Sequence, residues 1–352
     1  KGYAKMVYAN YTDTISATEQ LLQEVRGFVE KPSQSGLKKA RSAWVQARHL
    51  YGQTEVYRFY GGPIDGESGP EGRMNAWPMD EAYVDYVRGA PKAGLIQNTE
   101  FEINAENLST MNERGGEENV ATGWHAIEFL LWGQDLSENS AGQRPYTDYV
   151  SAPFAERRAL YLETATELLL SDLKQLAKAW APNQASNYRA QFEEGGKQSL
   201  QNILIGMGSL SRGELAGERM EVALFSMQQE DEHSCFSDNT HRDIQDNAQG
   251  ILNVWLGRYE MANGQVLQVP SLQELVRQES AEVARQTTEQ LKKTVALSQK
   301  IKAPFDREIS GGQDGQGRER LQSVVDSLIA QSEWIVTSAS AVDLEQLTLA
   351  KP

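Results

Sequence analysis

Apolar residues recur at three- and four-residue spacings along almost all of the 352-residue chain. Residues with this spacing share one face of an α-helix, and runs of alternating β-branched residues, which would indicate strands, are absent from the sequence. The segments with helical periodicity are 4–29, 35–59, 98–112, 117–133, 153–180, 185–227, 239–262, 271–300 and 316–340. The sequence therefore predicts an all-α fold with little or no sheet.

The chain is long for a single hydrophobic core, and its length suggests two domains. The stretch from Ser137 to Pro145 is polar and contains glycine, and Pro153 opens the next helical segment. Helices with one apolar stripe bury it best against one another. We therefore expect two helical bundles of about four helices each, spanning residues 1–145 and 146–352.

The composition excludes several classes of function. The formal net charge is −15, from 34 basic and 49 acidic residues. This balance disfavours nucleic-acid binding, which requires a concentrated basic face. Cys235 is the only cysteine, so no internal disulfide and no cysteine-rich metal site can form. No apolar run approaches the roughly 20 residues of a membrane span.

One short motif carries recognisable chemistry. His125 and Glu128 lie three residues apart in a segment that otherwise resembles a buried helix, so their side chains share a face. A neutral imidazole nitrogen and a carboxylate oxygen are common ligands of transition metals. Gly123 lets a second backbone approach closely or lets a helix begin there. The alternative is that His125 is a hydrogen-bonded core residue, since two ligands alone do not complete a metal site.

The motif Gly123-x-His125-x-x-Glu128, followed by Phe-Leu-Leu-Trp-Gly, resembles the signature of the imelysin-like family. These proteins are also called insulin-cleaving metalloproteinase or iron-regulated protein A homologues, and they form peptidase family M75. Further stretches that resemble this family, in the same order along the chain, are Trp44 to Tyr51, Glu55 to Phe59, Gly62 to Asp65, Ala76 to Glu81 and Glu230 to Thr240.

The resemblance implies two helical bundles with the motif near their interface and a bound metal ion. It implies iron as this metal, with zinc or another divalent cation as alternatives, and a role in iron uptake or handling. It also implies a periplasmic or outer-membrane-associated protein whose partners are other iron-uptake components of the cell envelope. Because the sequence begins at Lys1 without an initiator Met, we expect that an upstream segment was removed.

Three residues of the first half are candidate neighbours of the metal site. Trp44, Arg48 and Glu55 fall at helical spacings on one face together with Tyr51. Arg48 has no lone pair for a metal, but it could orient Glu128 or hold an anion. The alternative for this face is an internal salt bridge at a bundle seam.

Three more polar residues are candidates because of the segments in which they lie. Asp80 belongs to a stretch that resembles the family, although a carboxylate at a predicted helix start is also a cap. In the second half, His233 and Asp238 lie in a dense cluster of oxygen and nitrogen ligands. That loop either completes the site across the bundle interface, or Asp238 caps the following helix.

Two further functions stay open at this stage. The family label implies a zinc-dependent peptidase using His125 and Glu128, but the sequence contains no His-Glu-x-x-His motif or other complete protease motif. A protease would also need an open metal position and a general base. The third alternative is a metal-free module that binds a ligand or protein between the bundles.

Overall fold

The structure, a computed structural model, describes residues 1–350 and is almost entirely helical, which confirms the all-α prediction. The first helices are α1 (Gly2–Glu30), α2 (Gln34–Gly52), α3 (Glu71–Asn75), α4 (Glu81–Val84), α5 (Ala105–Met111) and α6 (Gly123–Trp132). The next are α7 (Ala155–Ala179), α8 (Tyr188–Glu194), α9 (Lys197–Ser209), α10 (Val222–Ser226) and α11 (Thr240–Leu256). The last are α12 (Leu272–Glu279), α13 (Ala281–Ser298), α14 (Phe305–Ile309) and α15 (Gly317–Ala341).

The remaining regular structure is short. Strands β1 (Arg258–Glu260) and β2 (Val266–Gln268) pair in an antiparallel hairpin, with Tyr259 opposite Leu267. Single 3₁₀ turns are formed by Glu55–Tyr57, Tyr146–Tyr149 and Gln229–Asp231. Within residues 1–350, no helix combines the length and the apolar character needed to cross a lipid bilayer.

The long helices pack in two groups. Helix α1 lies along α2 and α7, and α6 packs against α2 and α7. In the second group, α13 pairs with α15, and α15 also contacts α9. Helix α11 packs against both α13 and α2, so it joins the two groups. The division into domains 1–145 and 146–352 stays a prediction, and α7 packs with helices that precede residue 145.

A π-helix, Leu210–Glu221, continues α9 into α10. Residues five apart lie on the same face of a π-helix, because its hydrogen bonds join residues i and i+5. Glu214 and Arg219 have this spacing, and their side chains form an ion pair of 2.7 Å. The π-helix thus directs a charged face towards the turn that follows α2.

Two predicted helices end earlier than their apolar spacing suggests. The predicted segment 35–59 ends as an α-helix at Gly52, where the Thr54 hydroxyl binds the carbonyl of Tyr51 and the chain turns. The predicted segment 239–262 ends before Gly257, which has a φ of +60° and leads into the β-hairpin. The residues beyond both helix ends are also apolar because they pack into the core, so the spacing of apolar residues alone does not show where either helix ends.

Candidate functional site

Helix α6 begins at Gly123 against the backbone of α3. Gly123 has a φ of +82°, and a Cβ at this position would lie 2.3 Å from the carbonyl oxygen of Met74. The Thr122 hydroxyl donates to the Arg73 carbonyl oxygen at 2.8 Å, which ties the same two segments together. Both the positive φ and the close approach require glycine. This is why α6 starts here rather than at residue 117.

His125 and Glu128 contact each other inside the protein. His125 Nδ1 lies 2.9 Å from Glu128 Oε2, and both side chains are fully buried. The other carboxylate oxygen of Glu128 accepts hydrogen bonds from the Ser237 amide at 2.9 Å and the Ser237 hydroxyl at 2.6 Å. Among the described residues, His125 Nε2 has no hydrogen-bond partner. The motif thus presents one buried, unpartnered imidazole nitrogen.

A second histidine faces His125 from the other half of the chain. His233 lies between α10 and α11, and its ring centroid is 4.9 Å from that of His125. His233 Nδ1 lies 2.8 Å from Asp243 Oδ2. The Trp77 ring packs against both histidines, with its centroid 5.1 Å from that of His125. The structure therefore brings together His125, Glu128 and the sequence-predicted neighbour His233.

Arg48 binds the carboxylate that holds His233. Its guanidinium donates to both oxygens of Asp243, at 3.2 Å and 2.9 Å, and to Asn75 Oδ1 at 2.5 Å. Arg48 and Asp243 are almost fully buried. This bidentate pair fixes the position of Asp243. Arg48 Nη2 also lies 3.1 Å from His233 Nδ1 and 3.4 Å from its Nε2, so Arg48 orients His233 both directly and through Asp243. The sequence had suggested Glu128 or an anion as its target.

Burial sets the protonation of these groups. It lowers the pKa of His125 well below the ordinary value, with Arg48 adding to the effect. Burial and Arg219 lower the pKa of His233 to about 4. Burial raises the pKa of Glu128 to about 8, although Ser237 donates to the carboxylate. Both imidazoles are thus neutral at pH 7, the form that binds metals.

Glu55 anchors a neighbouring network of buried charges. Its Oε2 accepts from Arg219 at 2.6 Å, from Arg58 at 3.0 Å and from Asn75 at 3.3 Å. Burial opposes ionisation of Glu55, but Arg219 and Arg58 lower its pKa to about 2. Because Asn75 also accepts from Arg48, it links this network to the histidine pair. No sequence spacing pointed to Asn75.

Trp44 and Asp80 have structural roles in this arrangement. Trp44 Nε1 donates to the Trp124 carbonyl oxygen at 3.1 Å, and the two rings pack edge to face. Trp44 thus holds the first turn of α6 against α2. Asp80 is exposed and accepts from the Ala82 amide at 2.9 Å, so it caps α4 as its position predicts.

Asp238 does not cap α11, contrary to the role considered for it. Asn239 occupies the N-cap position, and Asp238 has a φ of +57°. Its carboxylate instead lies beside those of Asp135 and Asp306, with one oxygen of each within 4.8 Å of the others. Sequence reasoning missed Asp135 and Asp306, which lie far from Asp238 along the chain.

A cleft of about 740 Å³ opens beside His233 and Trp77. Its wall also carries the two arginines that bind Glu55 and several carboxylates: Arg58, Glu71, Glu113, Glu117, Glu214, Glu218, Arg219 and Asp231. Acidic side chains outnumber basic ones along this wall. Such a lining favours the approach of a cation over that of an anion.

The family model described as Imelysin matches residues 7–334. The chain belongs to the imelysin family. This membership confirms the resemblance that the motifs around His125 and Glu128 suggested. The family model therefore spans both the motif helix α6 and the loop that carries His233.

Individual relatives of this imelysin-family protein agree with the assignment. Iron-regulated protein A of Synechococcus elongatus is 25% identical over 286 residues, which cover 81% of this chain and 70% of that protein. A structure described as an iron-regulated protein A precursor from Parabacteroides distasonis superposes with a TM-score of 0.74 at 17% identity, covering 97% of this chain and 94% of that one. An imelysin-like protein from Psychrobacter arcticum gives a TM-score of 0.69 at 16% identity, with 96% and 92% covered. At these identities the two structures show that the fold is shared.

Proposed function

We propose that this imelysin-family protein binds an iron ion at the buried site formed by His125, Glu128 and His233. The unpartnered Nε2 of His125 is the observation that supports this proposal most directly. Buried polar atoms are normally hydrogen-bonded, and an exception in a packed interior points to a missing partner. A metal ion is a partner that a neutral imidazole nitrogen can take.

The surroundings of the two histidines fit a metal site. Each imidazole has a carboxylate at its Nδ1, Glu128 for His125 and Asp243 for His233. Metal-binding histidines usually carry such a carboxylate, which fixes the ring and makes the other nitrogen more basic. For His125 that nitrogen is unpartnered within residues 1–350, whereas Nε2 of His233 lies 3.4 Å from the Arg48 guanidinium. His125 would bind through Nε2. Glu128, whose pKa burial raises to about 8, would release its proton as the ion binds and would then supply negative charge next to it. Imidazole and carboxylate groups suit iron and also zinc.

The name of one relative supports a role in iron metabolism for this site. The cyanobacterial relative is named iron-regulated protein A, and we infer that this chain likewise acts in iron uptake or handling. We place it outside the cytoplasm, in the periplasm or at the outer membrane, where it would act with other iron-uptake components of the cell envelope. The acidic cleft beside His233 supports capture of a cation from solution.

Metal content and affinity test the proposal. The full chain is purified anaerobically, stripped with a chelator and titrated with Fe²⁺ and with Zn²⁺ in a calorimeter. We expect one tight site whose affinity falls by at least about 100-fold in His125→Ala. His49→Ala is the matched control, because His49 is a half-buried histidine that binds Asp246. The control should retain the affinity of the unmodified chain.

Two results would contradict the proposal. One is equal metal affinity in His125→Ala and in the unmodified chain, with far-ultraviolet circular dichroism showing both folded. The other is zinc-dependent cleavage of an unfolded protein substrate that Glu128→Gln abolishes, which would establish a peptidase. Binding of a ligand that persists after complete chelation would instead identify a metal-free binding module.

A further inference from the structure

A second group of acidic side chains lies apart from the histidine pair. It comprises Asp135, which follows α6, Glu232 and Asp238 in the loop before α11, and Asp306 in α14. Asp135, Asp238 and Asp306 each place one oxygen within 4.8 Å of the other two. Glu232 lies within hydrogen-bonding reach of Asp306. We call these four residues the carboxylate cluster.

The carboxylate cluster lacks the partners that buried acids usually have. Both oxygens of Glu232, both oxygens of Asp306 and one oxygen each of Asp135 and Asp238 have no hydrogen-bond partner among the described residues outside the cluster itself. Glu232 is 0% exposed and Asp306 is 3% exposed. A buried, unpaired carboxylate is costly, and several that face one another add mutual repulsion. The group that neutralises them is either bound protons or a cation.

We propose that Asp135, Glu232, Asp238 and Asp306 form a calcium-binding site. The ligand set consists only of oxygens and is strongly anionic, which suits a hard divalent cation and not a metal that prefers nitrogen or sulfur. Ca²⁺ binds oxygen at about 2.3–2.6 Å, so two ligands on opposite sides of one ion are up to about 5.2 Å apart. One oxygen each of Asp135, Asp238 and Asp306 satisfies this limit without movement, and Glu232 lies beside Asp306.

Magnesium fits the cluster less well than calcium. Mg²⁺ usually keeps several waters and is bound through one or two carboxylates, whereas this cluster offers four carboxyl groups. Four carboxyl groups from three separate parts of the chain form an all-protein cage of the kind that Ca²⁺ accepts. This site is separate from the proposed iron site and uses none of its ligands.

A calcium ion here would fix the loop that reaches the histidine pair. Glu232 directly precedes His233, and Asp238 directly follows Ser237, the residue that donates to Glu128. The ion would thus hold both ends of the 232–238 loop and tie them to α6 and α14. We therefore expect calcium to stabilise the fold and to favour the geometry at His233.

Calcium titration of the chelator-treated full chain tests the proposal. At pH 7.5 we expect one equivalent of Ca²⁺ to bind in a calorimeter and to raise Tm. In Asp306→Asn the affinity should fall by at least about tenfold, because one anionic ligand becomes neutral. Glu230→Gln is the matched control, since it removes an exposed carboxylate from the same loop and should leave calcium binding unchanged.

Other outcomes would overturn the calcium assignment. The first is that no calcium binds at concentrations up to about 1 mM, the range of weak extracellular sites. The second is equal calcium affinity in folded Asp306→Asn, and the third is tighter binding of Mg²⁺ than of Ca²⁺. If Asp306→Asn does not fold, the half-buried Asp238→Asn serves in its place. His125→Ala should keep calcium binding, so failure of this site and failure of the iron site are distinguishable.

Discussion

Replacement of Gly123 by alanine should destabilise the protein strongly and damage the candidate iron site. The φ of +82° costs a non-glycine residue about 1–2 kcal/mol. The added Cβ would lie 2.3 Å from the Met74 carbonyl oxygen and 2.6 Å from that of Arg73. Displacing the packed backbone of α3 costs about 1–3 kcal/mol more. We therefore expect Gly123→Ala to lower the free energy of unfolding by about 2–5 kcal/mol.

Two other glycines separate these contributions. Gly264 has a φ of +80° in the hairpin turn but has open space around a Cβ, so Gly264→Ala should show only the conformational cost. Gly27 lies in α1 with ordinary φ and open space, and Gly27→Ala should stabilise the helix by about 0.5–1 kcal/mol. Urea unfolding followed by circular dichroism measures all three variants.

The same three variants test whether the glycine serves the site. Gly123→Ala must shift α6 or α3, so the iron affinity should fall in this variant and stay unchanged in the other two. If Gly123→Ala were no less stable than Gly264→Ala, the close approach to α3 would not explain the glycine. The role of Gly123 in starting α6 would then be refuted.

Two further substitutions probe the networks around the site. Glu55→Gln removes the most deeply buried of the carboxylates that pair with Arg58 and Arg219. Both arginines keep Glu214 as a partner, so the substitution should cost up to about 3 kcal/mol at pH 7. The folded-state pKa of Glu55 is lowered to about 2 from 4.5, so its stabilisation exists above pH 4.5 and is lost towards pH 2. Urea unfolding at pH 7 and pH 3 should show the difference shrinking at the lower pH; a constant difference would contradict the ion-pair assignment. Trp44→Phe removes the side-chain donor to the Trp124 carbonyl, which keeps its bond within α6, and should lower the free energy of unfolding by about 1 kcal/mol. A Tm equal to that of the unmodified chain would show that the bond contributes nothing.

Local spacing predicted the parts of this protein that depend on neighbours along the chain. The helical class followed from apolar periodicity, and the proximity of His125 and Glu128 followed from their i, i+3 positions. The capping role of Asp80 followed from its place before α4. Each of these features is decided within about one helical turn, so the sequence pattern contains the information that determines it.

The rest of the site depends on contacts that no local spacing encodes. Asn75 and Asp243 position Arg48 and His233, yet each is an ordinary polar residue in its own segment. Asp238 looked like a helix cap because only its neighbours in sequence were visible. Its actual partners in the carboxylate cluster come from distant segments that tertiary packing brings together.

Some buried polar groups around the two proposed sites have hydrogen-bond or ion-pair partners, and others have none within the described part of the chain. Arg48, Asp243 and His233 form a compact network in which each charged group has a partner. His125 Nε2 and the facing oxygens of the carboxylate cluster have none among the described residues. If these polar groups only stabilised the fold, apolar side chains of similar volume would stabilise it equally well or better. His125 Nε2 and the oxygens of Glu232 and Asp306 lie on either side of the 232–238 loop. A bound cation would complete each set, and the two sets differ in chemistry, because one offers an imidazole nitrogen and the other only carboxylate oxygens. This difference is the physical reason to propose two different ions beside one loop.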